Sequence, residues 1–327
     1  MSLPIAAAAF LFGIVSGVVA AIAIRPLRTL IHLAATSRSR YDASHRLLNV
    51  AASGPTTAWM NLGLWTGLAA SPSAANAFVA ANERLADALA AAAGLSEGMH
   101  VVDVGCGCGD ALERWLSVHG ASSALGITAA PQQAAIASAR LEASGATAGR
   151  VVLARAEELE DVVAGDGRRP HAILALDAAY HFATREAFAA AAARVLAPGG
   201  VLATAGLMAA VPWDELSVCR KALLACVLAA GGVPRANFAY DAAGWRSKLE
   251  ALGFVSVVVD DVTDGVFAGF DQFMAGHAEA LAAAGVYDTY VAAKFRVAAA
   301  GFRRLAAGGL VRFVIARGRL PQAADPD

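Results

Sequence analysis

Short apolar runs alternate with helical stretches through the middle of the chain, between residues 101 and 206. Runs of this length suit strands that are buried on both faces. Strands that alternate with helices predict βαβ units, and hence a parallel sheet with helices on both sides. The predicted strands are residues 101–104, 123–127, 151–154, 171–176 and 201–206, and the predicted helices are residues 82–93, 110–119, 131–144 and 185–196.

Beyond Met208 the alternation gives way to longer helical stretches. Two further strand-like runs follow, and a helical excursion separates them, so we expect them to pair antiparallel at the sheet edge. The complete prediction is a doubly wound α/β fold with a seven-stranded, mostly parallel sheet. The added strands are residues 254–259 and 310–316, and the added helices are residues 213–230, 245–252, 267–284 and 286–305.

Composition excludes several classes of protein. A formal net charge of −1 argues against a nucleic-acid binder, which needs a basic surface. A hydrophobic content of 57% excludes intrinsic disorder. The four cysteines lack zinc-finger spacing and are too few for a disulfide scaffold, so we expect reduced thiols and no metal.

The N-terminus carries an uncharged run over residues 5–24, followed by four arginines within residues 25–40. A helix of this length spans roughly 30 Å, about one hydrocarbon core. The run with its arginines predicts an N-terminal transmembrane helix, with the remainder of the chain facing the cytoplasm. A cleaved signal, a transit peptide and a buried alanine-rich helix remain open alternatives. The expected domains are an anchor (1–24), a linker with N-terminal helices (25–80), the α/β domain (81–320) and a disordered tail (321–327).

Three glycines follow the first predicted strand, at positions 105, 107 and 109. Glycine allows positive φ and a close approach of the backbone to a ligand. The spacing is Gly-x-Gly-x-Gly, whereas the dinucleotide fingerprint is Gly-x-Gly-x-x-Gly. It therefore favours a nucleoside without a pyrophosphate over a nicotinamide dinucleotide.

With Asp103, this turn resembles motif I of the class I S-adenosylmethionine-dependent methyltransferases, which is acidic-x-Gly-x-Gly-x-Gly. Downstream, Gly126-Ile127-Thr128 with Pro131 and Gln133 is similar to the second-strand motif of the sterol, tocopherol and cyclopropane-synthase-like branch. The resemblance covers about residues 41–316. Its other motifs are residues 61–65, which are similar to a Gly-Tyr-Trp-type element, residues 176–182 at the fourth strand, and residues 194–200 before the fifth.

The resemblance implies S-adenosylmethionine as the cofactor. The glycines then line its methionine and ribose, Asp103 orients the turn or reaches the amino end, and Thr128 with Gln133 lies beside the ribose hydroxyls. Arg155 stands where relatives have an acidic residue near the adenine, so recognition falls to the residues after it. Trp65 and Tyr41 are expected to face the sulfonium. The implied cofactor residues are Asp103, Gly105, Cys106, Gly107, Gly109, Thr128, Gln133, Ala156, Glu157, Trp65 and Tyr41.

Three polar residues follow the fourth strand, where open α/β sheets place ligands: Asp177, Tyr180 and His181. They are the candidate catalytic residues, with His181 as a general base where the acceptor carries a proton. The open alternatives are a turn cap for Asp177, packing for Tyr180 and a structural histidine. An apolar acceptor pocket is expected from Trp213, Phe238, Tyr240, Phe267 and Phe270.

The predicted function is methyl transfer from S-adenosylmethionine to a small, lipophilic acceptor such as a sterol, a prenylated quinone or another lipid. Cyclopropane formation on a lipid is an alternative, because the resembling branch includes such enzymes. A nicotinamide oxidoreductase is disfavoured by the glycine spacing. A membrane-tethered protein that binds the cofactor without catalysis is a further alternative.

Overall fold

The computed structural model of the chain describes residues 48–49, 57–68, 76–283 and 289–322. Seven strands of these residues form one sheet. In chain order they are β1 His100–Val104, β2 Ser123–Thr128, β3 Gly149–Leu153, β4 Ala172–Leu176, β5 Val201–Ala209, β6 Val255–Asp261 and β7 Val311–Arg319.

The strand order is β3-β2-β1-β4-β5-β7-β6, and the first five strands of that order are parallel. Strand β7 runs antiparallel to both β5 and β6. This confirms the predicted seven strands and the antiparallel pairing of the last two. The order reverses between β1 and β4, which is the switch point where open α/β sheets bind ligands.

Helices pack on both faces of the sheet, as the predicted doubly wound fold requires. One face carries a core with Leu85, Trp115 and Phe313, and the other carries a core with Leu159, Phe188 and Trp245. The first face is covered by α1 Ala77–Ala93, α2 Asp110–Ser117, α3 Pro131–Ala143, α6 Val218–Gly231, α8 Thr263–Ala283 and α9 Thr289–Ala307, and the second by α4 Leu159–Asp166, α5 Arg185–Val195 and α7 Ala242–Ala251.

Side-chain caps fix the starts of two helices, α5 and α7. The Thr184 hydroxyl accepts a hydrogen bond from the backbone N–H of Ala187 (3.0 Å) and begins α5. The Asp241 carboxylate accepts one from the backbone N–H of Gly244 (2.9 Å). Because this cap satisfies a first-turn donor, α7 begins at residue 242, earlier than the predicted residue 245.

The predicted helix over residues 213–230 is interrupted. Residues Trp213–Glu215 form a single 3₁₀ turn, and α6 begins only at Val218. Between them Leu216 adopts an extended conformation and buries its side chain in the core. The free energy gained by burying the Leu216 side chain exceeds the free energy that a continuous helix would gain here.

No helix of the described residues combines the length and apolarity needed to cross a membrane. The prediction of a fold that includes a transmembrane helix is therefore not supported. The structure supports only the seven-stranded α/β sheet with its helices. The predicted span at residues 5–24 and the tail residues 323–327 lie outside the described residues.

We predict that Phe313→Ala lowers the free energy of unfolding by about 3–5 kcal/mol, measured by urea denaturation. Phe313 is fully buried in β7 and lies edge-on to Phe267, with 6.1 Å between ring centroids. The control Val218→Ala, at a position 82% exposed, should change stability by less than about 0.5 kcal/mol. Similar losses in both variants would contradict the assigned core.

Candidate active site

A cavity of about 460 Å³ opens at the carboxyl ends of strands β1 to β4. Its polar wall comes from the turns that follow these strands. A segment before α1, residues 57–62, closes one side and is called the strap below. Its apolar wall comes from α8 and α9.

The glycine turn, residues 105–109, follows β1 and leads into α2. Gly105, Gly107 and Gly109 all have positive φ, of 84°, 56° and 86°. The backbone N–H groups of Gly105 and Cys106 both donate to the Ile127 carbonyl (2.8 and 3.0 Å), which ties the turn to β2. A Cβ atom on Gly107 would lie 2.7 Å from Met60 Cε, so the turn lies close against the strap.

Asp103 lies beneath the turn, at the carboxyl end of β1, and its side chain is fully buried. Its Oδ2 accepts a hydrogen bond from the Trp115 indole N–H (2.9 Å), whereas its Oδ1 has no hydrogen-bond donor among the described residues. Burial raises the pKa of Asp103 to about 7, and the Trp115 hydrogen bond opposes this only in part. A cationic ligand in the cavity would stabilise the ionised carboxylate.

The end of β2 supplies a pair of buried polar side chains. The Thr128 hydroxyl donates to Gln133 Oε1 (2.8 Å), and Gln133 Nε2 lies 3.6 Å from Met60 Sδ on the strap. Gln133 lies in the first turn of α3, which Pro131 begins shortly after the strand. Both side chains line the cavity and offer a hydroxyl and an amide to a ligand.

After β3, residues Ala156–Glu158 form a 3₁₀ turn whose first residue is buried against the cavity. Glu157 accepts a hydrogen bond from the backbone N–H of Ala183 (2.8 Å) and so joins this turn to the segment after β4. The Arg155 side chain is exposed and lies 3.6 Å from Glu157. Its guanidinium group is therefore largely exposed at the cavity edge, beside the carboxylate of Glu157.

Two buried carboxyl groups hold the strap. The backbone N–H of Ala58 donates to Asp110 Oδ1, and that of Leu62 donates to Asp177 Oδ2, both at 2.9 Å. Burial raises the pKa of Asp110 to about 6, although the Arg140 guanidinium 3.2 Å away lowers it. The sequence gives no local sign of these contacts, because the partners lie 52 and 115 residues apart.

The candidate catalytic residues lie together after β4. Asp177 has φ 54°, in the left-handed region that a non-glycine residue rarely adopts. Burial raises its pKa to about 7, against hydrogen bonds from the Leu62 N–H and the Tyr180 side chain. The Tyr180 and His181 rings are 4.4 Å apart, and all three residues line the cavity.

The apolar side of the cavity carries three phenylalanines, Phe270, Phe295 and Phe302, called the aromatic wall below. Of the five residues predicted for the acceptor pocket, only Phe270 lines the cavity. Phe238 and Phe267 are buried in the core instead. The other two members of the wall come from α9, whose docking onto α8 could not be read from the local pattern.

The structure brings most of the predicted cofactor residues together. Gly109 caps α2 behind the cavity and does not line it. Trp65 lies against Gly269 and Phe273 of α8, away from the cavity lining, with its indole N–H donating to the Leu62 carbonyl (2.8 Å). Tyr41 lies outside the described residues. The predicted cofactor residues that do line the cavity are Asp103, Gly105, Cys106, Gly107, Thr128, Gln133, Ala156 and Glu157.

These residues fit S-adenosylmethionine, which carries positive charge on its amine and its sulfonium. A fully buried carboxylate oxygen lacks a donor at Asp103, and the cavity has three further carboxyl groups at Asp110, Glu157 and Asp177. The glycine turn exposes backbone without side chains, and Thr128 with Gln133 offers polar groups for ribose hydroxyls. No group of cysteine, histidine and acidic side chains in the described residues has a metal-binding arrangement.

Comparison with known proteins agrees with this geometry. A model of the family described as "Methyltransferase domain" matches residues 101–200. The chain is 32% identical over 223 residues to erythromycin 3''-O-methyltransferase of Saccharopolyspora erythraea. That alignment covers 64% of this chain and 66% of the relative, just under two thirds of its length.

Solved structures share the fold. One is mycolic acid cyclopropane synthase CmaA1, in a structure complexed with SAH and CTAB. It has a TM-score of 0.65 and 18% sequence identity, and the superposition covers 85% of this chain and 95% of the CmaA1 chain. The [4+2]-cyclase SpnF has a TM-score of 0.61 and 22% sequence identity, and the superposition covers 86% of this chain and 95% of the SpnF chain. At such identities the likeness shows the fold alone, and the different reactions named show that this fold does not fix one chemistry.

We predict that Gly107→Val lowers the affinity for S-adenosylhomocysteine, measured by calorimetry, by at least about tenfold, or ~1.4 kcal/mol. A side chain there would occupy the cavity floor at positive φ. The matched control is Gly145→Val, which has a similar φ of 69° and nothing within 4 Å of an added Cβ atom. Wild-type affinity in a folded Gly107→Val protein would contradict the assigned site.

We also predict that Asp103→Asn changes how stability depends on pH. The folded-state pKa of Asp103 (about 7) is above the ordinary 3.8, so its contribution to stability is greatest below pH 4 and is lost as pH rises through 7. The amide cannot ionise. Without cofactor, the variant should therefore gain stability relative to wild type between pH 4 and 7, by about 1.4 kcal/mol per pH unit at most.

Urea unfolding at several pH values measures this difference. Asp161→Asn, at an exposed position on α4, controls for the chemical change itself. Parallel stability curves for wild type and Asp103→Asn across this range would contradict the assigned burial.

Proposed function

We propose that this chain transfers a methyl group from S-adenosylmethionine to a hydroxyl oxygen of a small, largely apolar molecule. The methyltransferase-domain model that matches residues 101–200 and the similarity to an O-methyltransferase support this proposal. The observation that carries the proposal is one continuous cavity. The glycine turn, His181 and the aromatic wall all line it, so the groups suited to a donor and those suited to an apolar acceptor face the same cavity.

The cofactor supplies, when bound, a methyl group on a sulfonium, which is a good leaving group. The protein therefore contributes mainly alignment and exclusion of water. The strap, held by Asp110 and Asp177, closes one side of the cavity against solvent. The glycine turn and the Thr128–Gln133 pair hold the donor at the carboxyl ends of β1 and β2.

His181 is the proposed general base. A hydroxyl acceptor carries a proton that must leave as the oxygen bonds to the methyl carbon, and an imidazole can accept it. The Tyr180 ring lies against the imidazole and restricts its orientation. Asp177 contacts both the strap and the Tyr180 side chain, and so fixes the segment that carries His181 relative to the strap.

The choice of a hydroxyl rests on the relative that is named as an O-methyltransferase. The choice of an apolar acceptor rests on the aromatic wall, since phenylalanine side chains offer surface and no hydrogen bonds. Hydroxylated macrocycles, sterols, prenylated quinols and other lipids all belong to this acceptor class.

The direct test measures S-adenosylhomocysteine formed by the purified chain with a panel of hydroxylated apolar compounds. We expect acceptor-dependent release, and a product heavier by one methyl group. Each active acceptor is paired with its deoxy analogue, which should give none. Release that is equal for the hydroxyl and deoxy compounds, or absent across the panel, would contradict hydroxyl methylation.

We predict that His181→Ala lowers turnover by roughly 10²- to 10⁴-fold, the range for loss of a general base. Affinity for S-adenosylhomocysteine should not change, because the glycine turn is untouched. His119→Ala, at the end of α2 and outside the cavity lining, is the control. A near-wild-type rate in His181→Ala would remove the histidine from the chemistry.

A further inference from the structure

We propose that Asn237 is a positioning residue for His181, acting through the backbone on either side of the histidine. The inference rests on the proposed function, because it concerns the base of that reaction. Asn237 belongs to the 3₁₀ turn Arg235–Phe238, which follows α6. It does not line the cavity, and neither its sequence position nor the motifs point to it.

Asn237 brackets His181 with its side-chain amide. Its Nδ2 donates to the carbonyl of Tyr180 (3.0 Å) and to the carbonyl of Phe182 (2.8 Å), the residues on either side of the histidine. Its Oδ1 accepts from the backbone N–H of Arg185 (2.6 Å), the first residue of α5. One buried side chain thus fixes both flanks of His181 and the start of the next helix.

The segment that carries His181 has little regular structure of its own. Between β4 and α5 it forms a single 3₁₀ turn, Ala179–His181, with the His181 N–H donating to the Ala178 carbonyl (2.9 Å). The amide of Asn237 supplies the hydrogen bonds that the backbone of this segment does not provide. Without them the imidazole can shift by an ångström or more, which is enough to reduce a reaction that depends on alignment.

Only an amide fits this position. Two carbonyl oxygens require donors and one N–H requires an acceptor, and the asparagine side chain offers both within one planar group. An aspartate has the same shape, but one of its carboxylate oxygens would replace Nδ2 and face both carbonyl oxygens. Asn237→Asp therefore reverses two of the three interactions while preserving volume, and Asn237→Ala removes all three without adding charge.

The experiment compares Asn237→Asp and Asn237→Ala with wild type. Asn82→Asp is the matched control, because Asn82 is also buried and donates to a backbone carbonyl, that of Phe78 (2.8 Å), in α1. Three quantities are measured: turnover with a working acceptor, the affinity for S-adenosylhomocysteine, and the NMR signals of the His181 ring. These signals are assigned by their loss in His181→Gln.

We expect both Asn237 variants to lose turnover by about 10- to 100-fold with unchanged cofactor affinity, and to move the His181 ring signals. Asn82→Asp should do neither. The proposal is overturned if the ring signals coincide with those of wild type in a folded Asn237 variant, or if turnover and cofactor affinity fall together. Because the NMR signals need no acceptor, an enzyme inactive toward every hydroxyl would refute the proposed function while leaving this test intact.

Discussion

The hydrogen bonds that two backbone N–H groups of the strap donate to buried carboxyl groups determine the shape of the site. Asp110 begins α2 and Asp177 directly follows β4, so the two acceptors lie on either side of the switch point in the sheet. Through Ala58 and Leu62 they fix a segment from outside the α/β core across the cavity. The strap then brings Met60 against both Gly107 and Gln133, and the polar wall of the cavity is complete.

The same carboxyl groups set the charge of the site. Burial raises the pKa of Asp103, Asp110 and Asp177 to between about 6 and 7, so ionisation of these three carboxyl groups costs free energy near neutral pH. A cation removes part of that penalty, whereas an anion such as a dinucleotide pyrophosphate increases it. The electrostatics therefore favour a sulfonium cofactor for the same reason as the glycine spacing does.

Local pattern predicts the strands and the residues attached to their ends. The sequence locates the glycine turn, Thr128, Gln133 and His181 at the carboxyl edge of the sheet, and they lie there in the structure because each is within a few residues of the end of its strand. The roles assigned to these residues stay predictions. Contacts between distant segments were missed: the strap to Asp110 and Asp177, and Asn237 to a segment more than fifty residues before it. Such pairings depend on how α6 and the strap dock, and no short-range periodicity encodes this.

Aromatic residues show the same limit. Trp65 lies between Gly63 and Gly67 in the sequence. In the structure Gly269 on α8 leaves room for its ring, and it packs there rather than at the cavity. Phe302, which the sequence gives no reason to choose, lines the cavity because α9 lies against α8. The residues on the acceptor side of the cavity are therefore identified only by tertiary packing, whereas those on the cofactor side are predicted by the motifs.

A crystal structure with S-adenosylhomocysteine tests the account most directly. We expect the ligand to lie across the glycine turn, with its ribose at Thr128 and Gln133. Its amine should point toward Asp103, and its sulfur should face His181 and the aromatic wall. Binding outside this cavity, or a pose that turns the sulfur away from His181, would contradict it.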